Sequence, residues 1–81
     1  MTERELQLNI LRAVKSYQDA NNNAHMPFTL LCTQLQLSKE DAQKHLRALR
    51  NVDCVRYTQD DKTYEPLLIE ISRNGINRLK E

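Results

Sequence analysis

FTLLCTQLQLSKEDAQKHLRALRNVDCV, residues 28–55, decides the fold. Leu30 to about Leu35 has helical spacing, with Thr29 placed as its N-cap. Gln36-Leu37-Ser38 interrupts the run. Ser38 then caps a second helix, Asp41 completes a Ser-x-x-Asp capping box, and the pattern reaches Arg50 or Asn51. Two helices joined by so short a turn read as a helix-turn-helix.

On the C-terminal side, Cys54 to Thr58 reads as a strand, Gln59 to Lys62 as a polar turn and Thr63 to Ile71 as the return strand. Alternation puts Leu67, Ile69 and Ile71 on one face. Pro66 has no N–H for a ladder, so this strand is expected at an edge or bulged there. Ser72 caps a short last helix carrying Ile76 and Leu79. On the N-terminal side, Thr2 and Glu5 form a capping box that opens a helix to about Ala20. Leu6, Ile10, Ala13, Tyr17 and Ala20 form its apolar stripe. Asn21-Asn22-Asn23 ends that helix, because asparagine tolerates left-handed geometry. His25 to Phe28 is extended ahead of and through Pro27, and a short first strand fits there.

The fold class that follows is α+β and mainly helical. It has three core helices, a two- or three-stranded antiparallel sheet and a short C-terminal helix. The 81 residues make one domain, 1–81. A chain of this size buries roughly 60% of its unfolded surface, too little for a deep enzymatic cleft with a lid. The net charge is +1, so any affinity for nucleic acid has to come from local charge. Cys32 and Cys54 each sit inside an apolar pattern and read as small buried hydrophobes of a reducing cytosol. No CxxC or HxxxH spacing suggests a metal, no glycine-rich loop suggests a nucleotide, and no cofactor is implied. No run reaches signal-peptide or membrane-span length, so the expected setting is cytoplasmic.

The helix from Lys39 to Arg50 carries the functional signal. Ala42, Leu46 and Leu49 cluster on one side, where a core belongs. Lys44 and Arg47 lie opposite, with Gln43 and Arg50 on a flank. Glu40 and Asp41 occupy the first turn, which the helix dipole favours, so Lys39, Lys44, Arg47 and Arg50 leave a surplus of positive charge further along. Gln43 suits an adenine edge, Lys44 and Arg47 suit guanine or phosphate, and Arg50 suits phosphate. The competing reading is an ordinary solvated helix face of mixed charge. His45 borders the apolar side and reads as a packed residue. In the hairpin, Arg56 and Lys62 are the available cations, while Asp60 and Asp61 repel phosphate unless they serve only as turn formers.

Phe28-Thr29, Leu35, Leu37-Ser38, Ala42, His45-Leu46, Leu49, Val55 and the closing run Ile71 to Leu79 together resemble the winged helix-turn-helix superfamily. The resemblance covers nearly the whole chain. It implies a small prokaryotic or phage-type transcription regulator whose third helix reads double-stranded DNA and whose hairpin is the wing. The sequence departs from the pattern twice: Asp53 stands where many members have glycine, and the wing has neither glycine nor a basic cluster. Gly75, the single glycine, suits a close backbone approach or a tight start to the last helix.

Leu8 and Leu11 fall off the main stripe of the first helix. They are scattered surface residues, or covered by Ile76 and Leu79, or part of a homodimer contact of the kind that serves paired half-sites. Two functions therefore compete: a DNA-binding regulator, and a winged-helix module that binds a protein and leaves DNA alone. An enzyme or a small-molecule sensor has no motif to support it.

Overall fold

The structure is a computed structural model and describes residues 2–80. Thr2 caps the first helix as expected, its hydroxyl accepting the Glu5 N–H at 3.2 Å, and α1 runs Glu3–Ala20. Ile10 and Ala13 are buried, but so are Leu11, Val14 and Gln18, while Ala20 is exposed. The buried arc is wider than one stripe because α1 packs against later helices and against the sheet as well. Asn22 and Asn23, at φ 56 and 66, turn the chain away.

β1 is Met26–Pro27 and α2 is Phe28–Leu35. Thr29 is therefore inside α2 and does not cap it. Its carbonyl accepts the Thr33 hydroxyl at 3.0 Å, and extended Pro27 holds the N-cap position with no side-chain bond. Phe28, pinned in the core, draws the helix start back towards the strand. The motif turn is made by Gln36 at φ 55, with the Leu37 N–H returning to the Cys32 carbonyl at 3.0 Å. Ser38 caps α3, Lys39–Asn51, by accepting the Asp41 N–H at 3.1 Å. Asp53 takes the left-handed conformation at φ 60, so aspartate does make the turn that glycine commonly serves.

β2 is Val55–Gln59, β3 is Pro66–Ile71 and α4 is Arg73–Leu79. The sheet is antiparallel in the order β1-β3-β2, so β3 is central and not at an edge, and the bulge expected as the alternative at Pro66 is present. Pro66 is tolerated because β1 reaches only as far as Leu68 and because the ladder is irregular beside it. Tyr57 pairs with Ile69 but Gln59 pairs with Pro66, so Thr58 alone faces Leu67 and Leu68. That bulge breaks the alternation: Ile69 is buried, but Leu67 is exposed and Leu68 with it.

The core joins Ile10, Leu11 and Val14 of α1, Phe28 and Leu31 of α2, Ala42, Leu46 and Leu49 of α3, and Val55 and Ile69 of the sheet. His45 is packed among them at 8% exposure. Two polar ties lock the elements. The Gln18 Oε1 accepts the Ile71 N–H at 2.8 Å, joining α1 to β3. Ser72 donates its hydroxyl to the Asp53 carbonyl while accepting the Gly75 N–H, joining α4 to the start of β2.

Candidate nucleic-acid interface

Helix α3 and the β2–β3 hairpin face each other across an open groove of about 220 Å³. Gln43, Arg47 and Arg50 line it from α3, and Tyr57, Gln59 and Tyr64 line it from the hairpin. Burial of Ala42, His45, Leu46 and Leu49 fixes the rotation of α3 and so turns the Gln43–Arg47–Arg50 edge to the groove. The Arg50 guanidinium lies 4.9 Å from the centre of the Tyr57 ring. That stacking holds the arginine head at the floor of the hairpin without cancelling its charge.

The other expected cations go elsewhere. Lys39 Nζ is 3.8 Å from Glu65, Lys44 Nζ is 3.9 Å from Glu3 at the start of α1, and Arg56 is 3.9 Å from Glu70. These exposed pairs add little stability, roughly 0–1 kcal/mol each. Their consequence is electrostatic: three of the seven expected contact residues carry their own counter-charge. Arg47, Arg50 and Lys62 have no ion pair among the described residues. Lys62 sits at the hairpin tip, where its N–H donates to Asp60 Oδ1 at 2.8 Å. The Thr63 N–H donates to the same oxygen at 3.0 Å, and these two bonds hold the Asp60 carboxyl below its ordinary pKa. The tip aspartate is thus a turn former, and it is charged.

Neither aromatic residue of the groove, Tyr57 or Tyr64, was expected from the sequence as part of a site, nor was Gln59. The signal of the tyrosines is weak there, because an aromatic residue in a strand reads as sheet packing and Tyr64 lies in a segment taken for the strand itself. Of the three readings of Leu8 and Leu11, cover by the last helix is the one the structure bears out. Leu11 is fully buried in the core, and Leu8 and Leu79 pack against it from the outside, because α4 folds back onto α1. Leu11 is therefore unable to meet a second copy. Arg4, Gln7, Leu8 and Arg78 instead line a shallow basic depression between α1 and α4, with Ile76 half-buried on α4.

Cys32 is half-buried, and burial raises its thiol pKa, so it is a poor nucleophile. Among the described residues no group of histidine, cysteine and carboxylate side chains is placed to hold a metal ion. No helix among them is long and apolar enough to cross a membrane.

The architecture is shared with solved structures of MepR and ZitR. A MepR variant from S. aureus bound to an oligodeoxyribonucleotide superposes with a TM-score of 0.73 at 16% identity, over 91% of this chain and 51% of that one. The S. aureus MepR–DNA complex matches at 0.63 and 18%, over 91% and 50%. ZitR of Lactococcus lactis, a zinc-responsive MarR family member, matches at 0.69 and 17%, over 93% and 47%. This chain spans about half the length of those proteins. No protein-family model matches it, and no curated protein matches it by sequence. The likeness shows the fold: four helices and a three-stranded antiparallel sheet in a winged helix-turn-helix arrangement.

Proposed function

We propose that this winged helix-turn-helix domain binds double-stranded DNA as a transcription regulator, with α3 as the reading helix and no catalytic step. The observation that carries the reading is the groove. It gathers a glutamine and two arginines on one open helix edge, opposite a hairpin able to flank the same duplex. Glutamine suits adenine, and arginine suits guanine or phosphate. The DNA held by the structurally similar MepR complexes supports it.

A second reading, a winged-helix module that binds a protein partner instead of DNA, draws on one observation. Glu3, Glu65 and Glu70 neutralise Lys44, Lys39 and Arg56, which leaves a modest positive field. Fluorescence anisotropy against a pool of random duplex DNA, at low and near-physiological salt, separates the two. Under the DNA reading, Arg47→Ala/Arg50→Ala abolishes binding at near-physiological salt while Lys44→Ala weakens it only slightly. Absence of binding at low salt, where phosphate attraction is strongest, favours the protein partner.

A further inference from the structure

Tyr64 is conformationally expensive and structurally idle. Its φ is 59, in the left-handed region, where a bulky side chain is disfavoured and glycine or asparagine is at ease. The hairpin imposes this geometry: the Tyr64 N–H donates to the Asp60 carbonyl at 2.9 Å, and the Asp60 N–H donates to the Glu65 carbonyl at 2.9 Å. Any residue at position 64 would have to adopt it. Yet the side chain is 68% exposed and makes no hydrogen bond within the described residues. Packing within the domain therefore does not explain a tyrosine here. The groove does, because the ring forms part of the hairpin wall opposite Gln43 and Arg47.

The chemistry around the ring narrows what it meets. Asp60 and Asp61 lie on the turn before it, Lys62 stands between them and the ring, and Glu65 after it faces Lys39, so the charges around the ring nearly balance and the ring adds none of its own for a phosphate. A tyrosine ring offers an apolar face, suited to the apolar surface of a deoxyribose. We propose that Tyr64 is the wing's nucleic-acid contact, packing its ring on the deoxyribose surface of the duplex backbone in the α3–wing groove. The ring then contributes apolar shape, while Arg47, Arg50 and Lys62 contribute the charge. This rests on the DNA reading above.

The test pairs thermal melting with anisotropy on the same random duplex pool, at two salt concentrations, for the wild type and the variants Tyr64→Gly, Tyr64→Asn, Tyr64→Phe and Arg47→Ala. Glycine and asparagine relieve the left-handed backbone, so both variants melt at or above the wild-type temperature. Both bind about tenfold more weakly, the order expected for loss of one well-placed aromatic contact at an interface. Their salt dependence stays that of the wild type, since a ring releases no counterions, whereas Arg47→Ala makes it shallower. Tyr64→Phe keeps the ring and keeps the affinity. Wild-type affinity in Tyr64→Gly and Tyr64→Asn, with binding still weakened in Arg47→Ala, overturns the Tyr64 contact and leaves the DNA reading standing. A lower melting temperature in both variants also overturns it, by making Tyr64 a residue of the fold. A wild type that binds no DNA at low salt removes the DNA reading and the contact together.

Discussion

Gly75 shows how much one atom matters in so small a domain. A Cβ built there overlaps the Cys54 carbonyl oxygen and comes within 2.7 Å of Ile71 Cγ1. The first neighbour is backbone and unable to swing aside, so α4 would have to lift off β2. Gly75→Ala is expected to destabilise the fold by about 2–3 kcal/mol, read as a lower urea midpoint; an unchanged midpoint would mean that α4 docks loosely. The close approach was legible in the sequence, since a lone glycine in a helical pattern asks for a reason. Gln18 was not legible. It lies off the expected stripe and looks like an exposed polar residue, yet it is 8% exposed and holds the Ile71 N–H. Gln18→Ala leaves that donor without its partner and is expected to cost about 1–3 kcal/mol. Gln18→Glu keeps the acceptor but sets a buried carboxylate against the Asn23 carbonyl, so it too should lower stability, and denaturant curves for the two variants compare them directly.

Among the elements, those set by helix signals were read well and those set by tertiary pairing were not. The caps at Thr2, Ser38 and Ser72 are local chemistry and stand where the sequence places them. The start of α2 and the central place of β3 depend on which strands meet, and no local pattern reports that, whereas the bulge beside Pro66 was signalled by the proline itself. The same divide splits the candidate site. The rotation of α3 follows from its apolar side, so Gln43, Arg47 and Arg50 were legible; the partners of Lys39, Lys44 and Arg56 come from distant segments. The hairpin tip makes its own prediction. Asp60 accepts the Thr63 and Lys62 amides, which lowers its pKa from the ordinary 3.8. A depressed carboxylate stabilises its turn fully above that value and loses the contribution as pH falls through the lower, folded-state value. The Lys62 and Thr63 amide chemical shifts should therefore titrate together with a midpoint below 3.8, and Asp60→Asn should abolish the titration. A midpoint at or above the ordinary value would mean that these bonds do not form in solution.

At the scale of the whole molecule, the charge balance decides how the proposed binding of DNA would respond to salt. With a net charge of +1, long-range attraction is small and affinity depends on which cations reach phosphate unaccompanied. Seven contact residues were expected, six of them cationic. Had all six neutralised phosphates, the logarithm of affinity would fall against the logarithm of salt with a slope of about −5. The ion pairs change this. A lysine that already faces a glutamate brings the carboxylate towards the phosphate with it, and separating the pair gives back what the new contact supplies. Arg47, Arg50 and Lys62 remain, and three phosphate contacts give a slope of about −3. Removing a counter-charge should release its cation, so Glu3→Gln, which frees Lys44, is expected to raise affinity at low salt and steepen the slope by up to about one. Anisotropy titrations across a salt series measure both quantities. A wild-type slope near −5, unchanged by Glu3→Gln, would mean that the pairs open at no cost and that the acidic side chains do not temper this interface.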